Sequence, residues 1–440
     1  MNVSVVGLGK LGAPMAAVFA AKGHRVIGLD VNPTLVDALA AGRAAIEEPR
    51  LQEMLDAGRA RLRATSDYAR LVAESDVTFI IVPTPSDAAG EFSNAYVIGV
   101  MESLGAALRA KSGYHVVAVT STVMPGSTGG PILRALEQAS GRHVPEDIGL
   151  AYNPEFIALG SVVNNMLDPD FLLIGESDPK AGRLIESVYA NVCENRPVIR
   201  RMNFVNAELT KISVNTFVTT KISYANMLAD ICDRLPGADA DVVVEAVGSD
   251  SRIGRKYLRG ATGYGGPCFP RDNVAFSALA SKLGAHADIA GATDAINRYQ
   301  IDRLAHAVTS RVRPGARVAV LGMSYKPDTP VIEESQGVMI AQRLIHDGYA
   351  VVIHDPLALD AAMRVVKGAS PARSAAEAIE SADIALIATP WTEYKNLATA
   401  RLTREILVID CWRIVPHAPD SMLRPVWLGY SEPAATAPAI

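Results

Sequence analysis

The first twelve residues carry the pattern that most narrows the fold of this chain. A short apolar strand, VSVV, runs directly into Gly7-Leu8-Gly9-Lys10-Leu11-Gly12 and the start of a helix. Glycines at this spacing allow a tight strand-to-helix turn, and they let the backbone approach a pyrophosphate that meets the helix N-terminus. The pattern predicts a βαβ unit with a dinucleotide site at residues 7–12. A turn used only for packing is the alternative.

A second strand, HRVIGLD, indicates which dinucleotide is expected. It ends at Asp30, about 20 residues beyond the glycines. A carboxylate at this place accepts hydrogen bonds from a ribose 2′-hydroxyl and repels a 2′-phosphate. NAD is therefore the expected cofactor rather than NADP.

Two further strand ends, VPTP and STVMPG, carry small polar side chains. Ligands of parallel sheets lie beyond the carboxyl ends of the strands. The residues expected to contact the cofactor there are Pro83, Thr84, Ser121 and Thr122. Ordinary turn chemistry is the alternative, since Ser, Thr and Pro are common in loops.

Short apolar strands alternate with helical patterns in two parts of the chain. The alternation runs to about residue 200 and returns in RPGARVAVLGMSYKPD, YAVVIHDP, ADIALIATP and EILVIDCW, which predicts α/β architecture with parallel sheets. Between them, residues 203–234 have no Gly or Pro, and apolar residues recur every three or four positions, as in one long helix. The predicted domains are a dinucleotide-binding domain at 1–200, a helical domain at 201–312, a second α/β domain at 313–430 and a flexible tail at 431–440.

Composition argues against several classes of protein. Apolar residues make up 49% of the chain and charged residues 20%, and the net charge of −5 leaves no basic stripe for nucleic acid or polybasic run for a membrane. We see no secretory signal and no apolar run near the ~18 residues that span a bilayer. The four cysteines include no CxxC pair, so we expect no metal and a reducing cytoplasm.

The segment GYGGPCFPRD places Cys268 where a thiol can be reactive. Pro270 suits the first turn of a helix, so the thiol should lie at a helix N-terminus, where the dipole favours the nucleophilic thiolate. Asp272 follows on the same side of that helix. A small buried hydrophobe is the alternative, and we assign it to the other three cysteines. The glycines expected to let a substrate approach the backbone are Gly263, Gly265 and Gly266.

A nucleophilic thiol in a chain that binds NAD indicates a two-step oxidation. An alcohol becomes an aldehyde, the thiolate captures it as a thiohemiacetal, a second oxidation gives a thioester, and water releases a carboxylic acid. This route needs an oxyanion stabiliser and a base that activates water. Lys211 and Asn215, on one face of the long helix, are candidates for the first task, and Glu155 in NPEF for the second. A solvated Lys and Asn and a capping Glu are the alternatives.

Taken together, these motifs resemble the UDP-glucose/GDP-mannose dehydrogenase family over nearly the whole chain. The cysteine motif and the KxxxN helix are specific, and the others are moderately so. The resemblance implies an NAD-binding Rossmann domain, a helical domain that forms a dimer and a C-terminal nucleotide-sugar-binding domain. It implies oxidation of C6 of a nucleotide sugar with two NAD⁺. The motifs are VVGLGKLG, IEEP followed by Leu51, VPTP, STVMPG, NPEF, ELTKISVNTFVTTKISYAN, SRIGRKYL, GYGGPCFPRD, LGMSYKPDT and ATPWTEY.

The resemblance also implies roles for individual residues. Cys268 would be the nucleophile, Lys211 and Asn215 would steady the oxyanion, and Glu155 and Asp272 would serve water activation and thioester hydrolysis. Thr122 would help to place the water, and Arg271 is expected among the cofactor contacts. The expected substrate contacts are Glu155, Phe156, Lys211, Asn215, Arg252 (possibly across a dimer), Arg259, Gly260, Tyr264, Gly265, Tyr325 and, near the phosphates, Lys326.

Four positions depart from the family pattern. Leu159 stands where a Glu is usual, Phe171 where an Arg is common, and Glu333 where an Arg is expected to contact the cofactor. Arg413 is displaced by one position from the late Asp-x-Arg segment. The Cys–Lys–Asn set is intact.

The run CFPRD is similar to the branches that oxidise UDP-glucose and GDP-mannose. UDP-glucose is the expected substrate, with GDP-mannose or a UDP-N-acetylhexosamine as alternatives. A two-electron dehydrogenase of the 6-phosphogluconate type and a nucleotide-sugar-binding protein without catalysis are the alternatives from other classes.

Overall fold

The computed structural model describes residues 1–400, 402–418 and 420–433. Contacts within the chain divide it into two compact units, Met1–Ser213 and Val214–Ile440. The predicted three-domain division stays a prediction. Of the predicted tail, residues 434–440 lie outside the described residues, while Ser431 donates its backbone N–H to the carbonyl of Ala238.

The first unit is built on an eight-stranded sheet flanked by helices. Its strands are β1 (Asn2–Val6), β2 (Arg25–Leu29), β3 (Leu62–Thr65), β4 (Val77–Ile80), β5 (His115–Val119), β6 (Ile148–Tyr152), β7 (Phe171–Glu176) and β8 (Val198–Met202). Its helices are α1 (Gly12–Ala21), α2 (Pro33–Ala40), α3 (Leu51–Gly58), α4 (Tyr68–Glu74), α5 (Ala95–Leu108), α6 (Leu133–Ser140), α7 (Val162–Leu167) and α8 (Pro179–Tyr189), with a 3₁₀ turn at Arg59–Arg61 and a π turn at Thr128–Ile132.

The strand order of this sheet is β3-β2-β1-β4-β5-β6-β7-β8. The central strands β4, β5 and β6 are buried along their whole length, because helices cover both faces of the sheet. The order reverses between β1 and β4, and this reversal opens a crevice at the carboxyl ends of those two strands. The predicted parallel α/β sheet is confirmed in this part of the structure.

One strand pairing differs from a fully parallel sheet. β7 pairs antiparallel with β6, in register Ala151↔Glu176, and then pairs parallel with β8. The chain that leaves β6 therefore enters β7 from the same edge of the sheet instead of crossing back to the opposite edge. Sequence patterns do not carry strand direction, which is why this reversal was missed.

The second unit combines helices with a six-stranded parallel sheet. Helix α9 (Phe204–Arg234) begins in the first unit and ends in the second. The other helices are α10 (Ala240–Gly248), α11 (Phe269–Lys282), α12 (Asp288–Thr309), α13 (Gln336–His346), α14 (Leu359–Val365) and α15 (Ala375–Glu380), with a 3₁₀ turn at Thr392–Thr399. The strands are β9 (Arg317–Leu321), β10 (Ala350–His354), β11 (Ser370–Pro371), β12 (Ile384–Ile387), β13 (Ile406–Asp410) and β14 (Leu423–Trp427).

The order of this second sheet, β11-β10-β9-β12-β13-β14, repeats the order of the first six strands of the first sheet. It also reverses once, between β9 and β12, so the carboxyl ends of these strands are the place where a ligand is expected. The central strands are again buried, and the predicted second α/β region is confirmed.

Helix α9 is confirmed as one long helix, and it carries an exposed apolar stripe. Phe217, Tyr224 and Ile231 recur every seven residues and are 67%, 44% and 51% exposed. Residues seven apart lie on one face of a helix. A second copy of the chain could cover such a stripe, but the homodimer stays a prediction. Within the described residues, no helix has both the length and the apolar character needed to cross a membrane.

A buried polar network crosses the first sheet at its amino end. His115 is fully buried and lies 2.8 Å from the Thr78 hydroxyl through Nε2 and 3.1 Å from the Lys111 ammonium through Nδ1. Because the ammonium can only donate, Nδ1 accepts, and Nε2 carries the proton that Thr78 accepts. Burial, and after it the charge of Lys111, lowers the pKa of His115 to about 3.

This low pKa predicts a loss of stability in mild acid. The unfolded chain takes up a proton on His115 near pH 6.5 and the folded chain does not, so the free energy of unfolding falls as the pH drops from 6.5 towards 3, by about 1.4 kcal/mol per unit. In urea unfolding at pH 7 and pH 5, His115 should account for about 2 kcal/mol of the drop, a share that His115→Gln removes. His24 and His354, whose pKa burial also lowers, add to the drop and are unchanged in this variant. His143→Gln, at an exposed histidine, is the control. An unchanged drop in His115→Gln would contradict the prediction.

Candidate functional site

The glycine turn after β1 has the geometry of a pyrophosphate cradle. Gly7 has φ +94°, a left-handed conformation that favours glycine. A Cβ on Gly12 would lie 1.7 Å from the carbonyl oxygen of Gly7, so the third glycine is required for α1 to pack against the turn. Among the described residues, and apart from the two neighbours of Gly9 in the chain, no atom lies within 4 Å of where a Cβ on Gly9 would be, and this open space above the backbone fits a bound dinucleotide.

Asp30 holds this turn together at the end of β2. Its carboxylate accepts the backbone N–H of Leu8 at 2.6 Å and that of Asn32 at 2.8 Å. Each carboxylate oxygen retains a further lone pair for a ribose hydroxyl. The residues of the turn and Asp30 therefore fit NAD.

Two of the hydroxyls expected to contact the cofactor at the next two strand ends, those of Ser121 and Thr84, already have partners in the protein. Ser121 bridges both the N–H and the carbonyl of Val82, and Thr84 donates to the carbonyl of Thr122. These bonds tie the VPTP loop, with Pro83, to the STVMPG loop. The hydroxyls of Ser121 and Thr84 thus shape the crevice, and their direct contact with the cofactor stays a prediction.

Glu208 is a residue that sequence reasoning missed. Its carboxylate is fully buried and accepts the backbone N–H groups of Gly126 at 2.6 Å and Thr128 at 2.7 Å. It therefore fastens the loop after β5 to the first turns of α9, one turn before Lys211. The signal was present, because residues 208, 211 and 215 share one face of the helix.

Lys211 and Glu155 come together in the first unit. The Lys211 ammonium donates to the backbone carbonyl of Glu155 at 2.6 Å and lies 4.6 Å from the centre of the Phe156 ring. The side chain of Lys211 is 7% exposed, so the ammonium is held in one place. The carboxyl of Glu155 accepts the hydroxyl of Tyr189 at 2.7 Å, and burial raises the pKa of Glu155.

Two of the departures from the family pattern have a physical counterpart here. The ring of Phe171 lies 4.6 Å from that of Phe156, so Phe156 is held between an aromatic ring and the Lys211 ammonium. Leu159 packs against the apolar core of the unit. In both places an apolar side chain that packs against its neighbours stands where the family usually has a charged one.

In the second unit, the structure places Cys268 where the sequence predicts it. Cys268 is the N-cap residue of α11, it is exposed, and Pro270 lies in the first turn. Asp272 follows within that turn, 1% exposed, and accepts the side-chain amide of Asn215 at 2.6 Å. Asn215 and Asp272, two of the predicted catalytic residues, are therefore in direct contact one turn from the thiol.

The glycines before Cys268 lie where the protein leaves no room for a side chain. A Cβ on Gly263 would lie 2.3 Å from Asn297 Oδ1, one on Gly265 would lie 2.1 Å from the carbonyl oxygen of Glu334, and one on Gly266 would enter the ring of Tyr325. The protein itself fills this space. Close packing is therefore one reason for glycine at these three positions, and the approach of substrate to their backbone stays a prediction.

Three of the expected substrate contacts have partners within the second unit. Tyr264 is buried, and its hydroxyl donates to Asp294 and accepts from Asn273. Arg259 donates to the carbonyl of Trp412. A Cβ on Gly260 would lie 2.6 Å from that of Ala229.

Two arginines with expected ligand contacts have acidic neighbours in sequence. The exposed Arg252 is paired with Asp250 at 2.6 Å. The guanidinium of Arg271 lies 3.8 Å from the carboxylate of Asp272. Neither pairing involves more than one turn of chain, so both side chains are anchored locally.

Asp355 organises the switch point of the second sheet. Its carboxylate accepts the N–H groups of Met323, Ser324, Leu357 and Ala358, at 2.7 to 2.9 Å. These bonds fix the loop that leads from β9 to Tyr325 and Lys326. Asp355 ends the second strand of its sheet, as Asp30 does in the first, and HDP is the sequence signal that could have found it.

The other two residues that depart from the family pattern, Arg413 and Glu333, both make contacts within the second unit. Arg413 has φ +50° and pairs with Asp239 at 2.6 Å and Asp241 at 3.5 Å, so its charge is used inside the unit. The backbone carbonyl of Glu333 accepts the N–H of Gly266 at 3.0 Å, and the residue is exposed.

Two doubly wound sheets, one with an NAD-type cradle, together with an exposed cysteine at a helix N-terminus, are typical of an NAD-dependent dehydrogenase that binds a second nucleotide. Comparison with protein families shows to which family of dehydrogenases the chain belongs. Residues 1–193, 205–299 and 319–417 match the NAD-binding, central and UDP-binding domains of the UDP-glucose/GDP-mannose dehydrogenase family. The chain belongs to this family, whose members are nucleotide-sugar 6-dehydrogenases.

Similar proteins include enzymes with different substrates. A UDP-glucose 6-dehydrogenase of Haloferax volcanii is 37% identical, over 94% of this chain and 97% of its own. A GDP-mannose 6-dehydrogenase of Pseudomonas aeruginosa is 34% identical, over 81% of each chain. The solved structure of a UDP-glucose dehydrogenase from Pyrobaculum islandicum has a TM-score of 0.87 at 34% identity, with 98% of each chain covered.

Proposed function

We propose that this protein oxidises the C6 alcohol of UDP-glucose to the carboxylate of UDP-glucuronate in two NAD-dependent steps. The observation that carries the proposal is the exposed thiol of Cys268 at the N-terminus of α11, with the Asn215–Asp272 pair one turn further on. Backbone N–H groups at a helix N-terminus stabilise a thiolate. A simple alcohol dehydrogenase has no use for such a thiol.

Bound NAD would supply the chemistry of accepting a hydride from C6 in each oxidation. The protein's own part begins with the Cys268 thiolate, which forms a C–S bond to the aldehyde carbon and turns the carbonyl oxygen into an alkoxide. The ammonium of Lys211 and the amide of Asn215 offer hydrogen bonds and positive charge to that oxygen. This step retains the aldehyde on the enzyme.

Hydrolysis of the resulting thioester needs a base. We propose that Glu155 takes a proton from the attacking water, while Lys211 again stabilises the oxyanion. The C–S bond then breaks, the thiolate of Cys268 is restored and the sugar leaves as a carboxylate. Asp272 would keep the amide of Asn215 in place through their hydrogen bond of 2.6 Å.

Three features support UDP-glucose as the substrate. The UDP-glucose 6-dehydrogenase of Haloferax volcanii matches 94% of the chain, against 81% for the GDP-mannose enzyme. Residues 319–417 match a UDP-binding domain. The run CFPRD at residues 268–272 argues against a UDP-N-acetylhexosamine, although it is common to the UDP-glucose and GDP-mannose branches.

Counting NADH per sugar tests the reaction and the substrate together. With UDP-glucose limiting, we expect two NADH per sugar, and rates with GDP-mannose and UDP-N-acetylglucosamine lower by about 100-fold, because polar groups that pair with the correct sugar discriminate strongly. Two NADH with another sugar and none with UDP-glucose would overturn the assignment of UDP-glucose as the substrate. One NADH per sugar would overturn the four-electron reaction, and binding without turnover would favour a binding protein.

A further inference from the structure

The hydroxyl of Tyr189 lies between two oxygen acceptors in the interior of the first unit. It is 2.7 Å from the Glu155 carboxyl and 2.8 Å from Asn153 Oδ1. Tyr189 is 2% exposed, and its ring packs edge-on against Phe19 and Phe79. The hydroxyl oxygen is therefore held in place, and only its hydrogen can turn.

The orientation of the Asn153 amide is fixed by its other partner. Nδ2 donates to the backbone carbonyl of Leu173 at 2.9 Å. A flipped amide would bring two acceptors together there, so the oxygen of Asn153 faces Tyr189.

One hydroxyl hydrogen cannot satisfy both acceptors at once. When Glu155 is ionised, Tyr189 donates to the carboxylate. When Glu155 is protonated, its own O–H donates to the Tyr189 oxygen, and the Tyr189 hydrogen is released to Asn153 Oδ1. Each protonation state of Glu155 thus has a hydrogen-bonded arrangement, and a turn of a single O–H bond connects the two.

We propose that Tyr189 is a positioning residue that acts through Glu155, its hydroxyl hydrogen turning between the carboxyl and Asn153 as Glu155 gains and loses a proton. This inference rests on the proposed role of Glu155 as a base. A group that takes a proton from water and later gives it up needs both states to be stable, and a carboxyl in a half-buried place would otherwise hold its proton.

Three titratable groups of this unit act on Glu155 and define the expected pH effect. They are Tyr189, Lys211 on α9, and Cys193, whose pKa is raised to about 11 by burial and then by the charge of Glu155. Tyr189→Phe leaves Lys211 and Cys193 in place. It removes a charge-assisted bond from the ionised carboxylate and a weaker neutral bond from the protonated form, so it should raise the pKa of Glu155.

The experiment measures kcat for NADH formation from UDP-glucose against pH. Tyr189→Phe should move the acid limb of the profile to higher pH by about one unit and lower kcat about 10-fold on that limb. Tyr114→Phe is the matched control, since Tyr114 lies in the same unit and its hydroxyl bonds Asp178 instead. It should leave the limb in place.

A double variant separates positioning from a general structural role. In a Glu155→Gln background, adding Tyr189→Phe should change the remaining rate less than about twofold, because Tyr189 then has no carboxyl to act through. A loss as large as in the wild-type background, or an acid limb unmoved by Tyr189→Phe, would overturn the proposal.

A direct titration decides the question whatever the enzyme turns over. The infrared C=O band of the protonated Glu155 carboxyl, found as the band that Glu155→Gln lacks, should titrate at higher pH in Tyr189→Phe than in the wild type. An unchanged midpoint overturns the role of Tyr189 even if two NADH are formed per sugar. A shifted midpoint in a protein that forms one NADH per sugar overturns the proposed function and leaves the coupling of Tyr189 to Glu155 supported.

Discussion

Cys268→Ser is expected to lower the rate of NADH formation from UDP-glucose by a factor on the order of 10³ or more, with no second NADH per sugar. The oxygen of serine keeps the size and place of the sulfur, but a hydroxyl at a helix N-terminus stays protonated where a thiol ionises. Without a nucleophile the aldehyde cannot become a thioester, so the second oxidation loses its substrate. Stopped-flow absorbance of NADH and carboxylate analysis of the sugar product measure both effects.

The matched control is Cys232→Ser, at a thiol whose pKa burial raises. Cys232 lies on α9 and is 4% exposed, so the change should reduce stability by about 1–3 kcal/mol and leave the turnover of the folded protein within a few-fold of the wild type. A Cys268→Ser enzyme that still forms two NADH per sugar at a tenth of the wild-type rate would contradict the proposed mechanism.

The sequence predicted those parts of the structure that depend on local chemistry. The glycine turn at residues 7–12, the helix over 203–234 and the helix that begins beside Cys268 each follow from spacing and from residues with special backbone preferences. The helix positions of Lys211 and Asn215 follow from the sequence. The bond of Lys211 to the NPEF segment and that of Asn215 to Asp272 then form because helix α9 packs against each of these segments.

The contacts that could not be predicted from the sequence join residues that are far apart along the chain. Glu208 binds backbone groups 80 and 82 residues away, and Asp355 binds a loop about 30 residues away, so neither partner is visible in a local pattern. Gly265 lies against the backbone of residue 334, and this close approach is likewise not visible in a local pattern. Arg413 resembled a displaced ligand, and its partners are Asp239 and Asp241.

The second large effect is expected at Lys211. Lys211→Met should lower kcat by about 10³-fold, roughly 4 kcal/mol of transition-state stabilisation, because in the proposed mechanism the alkoxide and the later oxyanion would lose the positive charge of the ammonium. Methionine keeps an unbranched apolar stem on the ring of Phe156, so α9 should still pack. The ammonium is already fixed by its 2.6 Å bond to the carbonyl of Glu155, so in the proposed mechanism it would stabilise the oxyanion without a cost of reorganisation.

Steady-state kinetics and thermal unfolding together check this prediction. The KM for UDP-glucose should change little, because the charge develops only in the transition state. Lys22→Met removes a lysine of the same unit whose surface ion pair with Glu194 contributes little, so it should keep kcat and stability near those of the wild type. If Lys211→Met instead raised KM at an unchanged kcat, the ammonium would be binding the ground state. The stabilisation of the oxyanion would then have to come from Asn215 and the backbone.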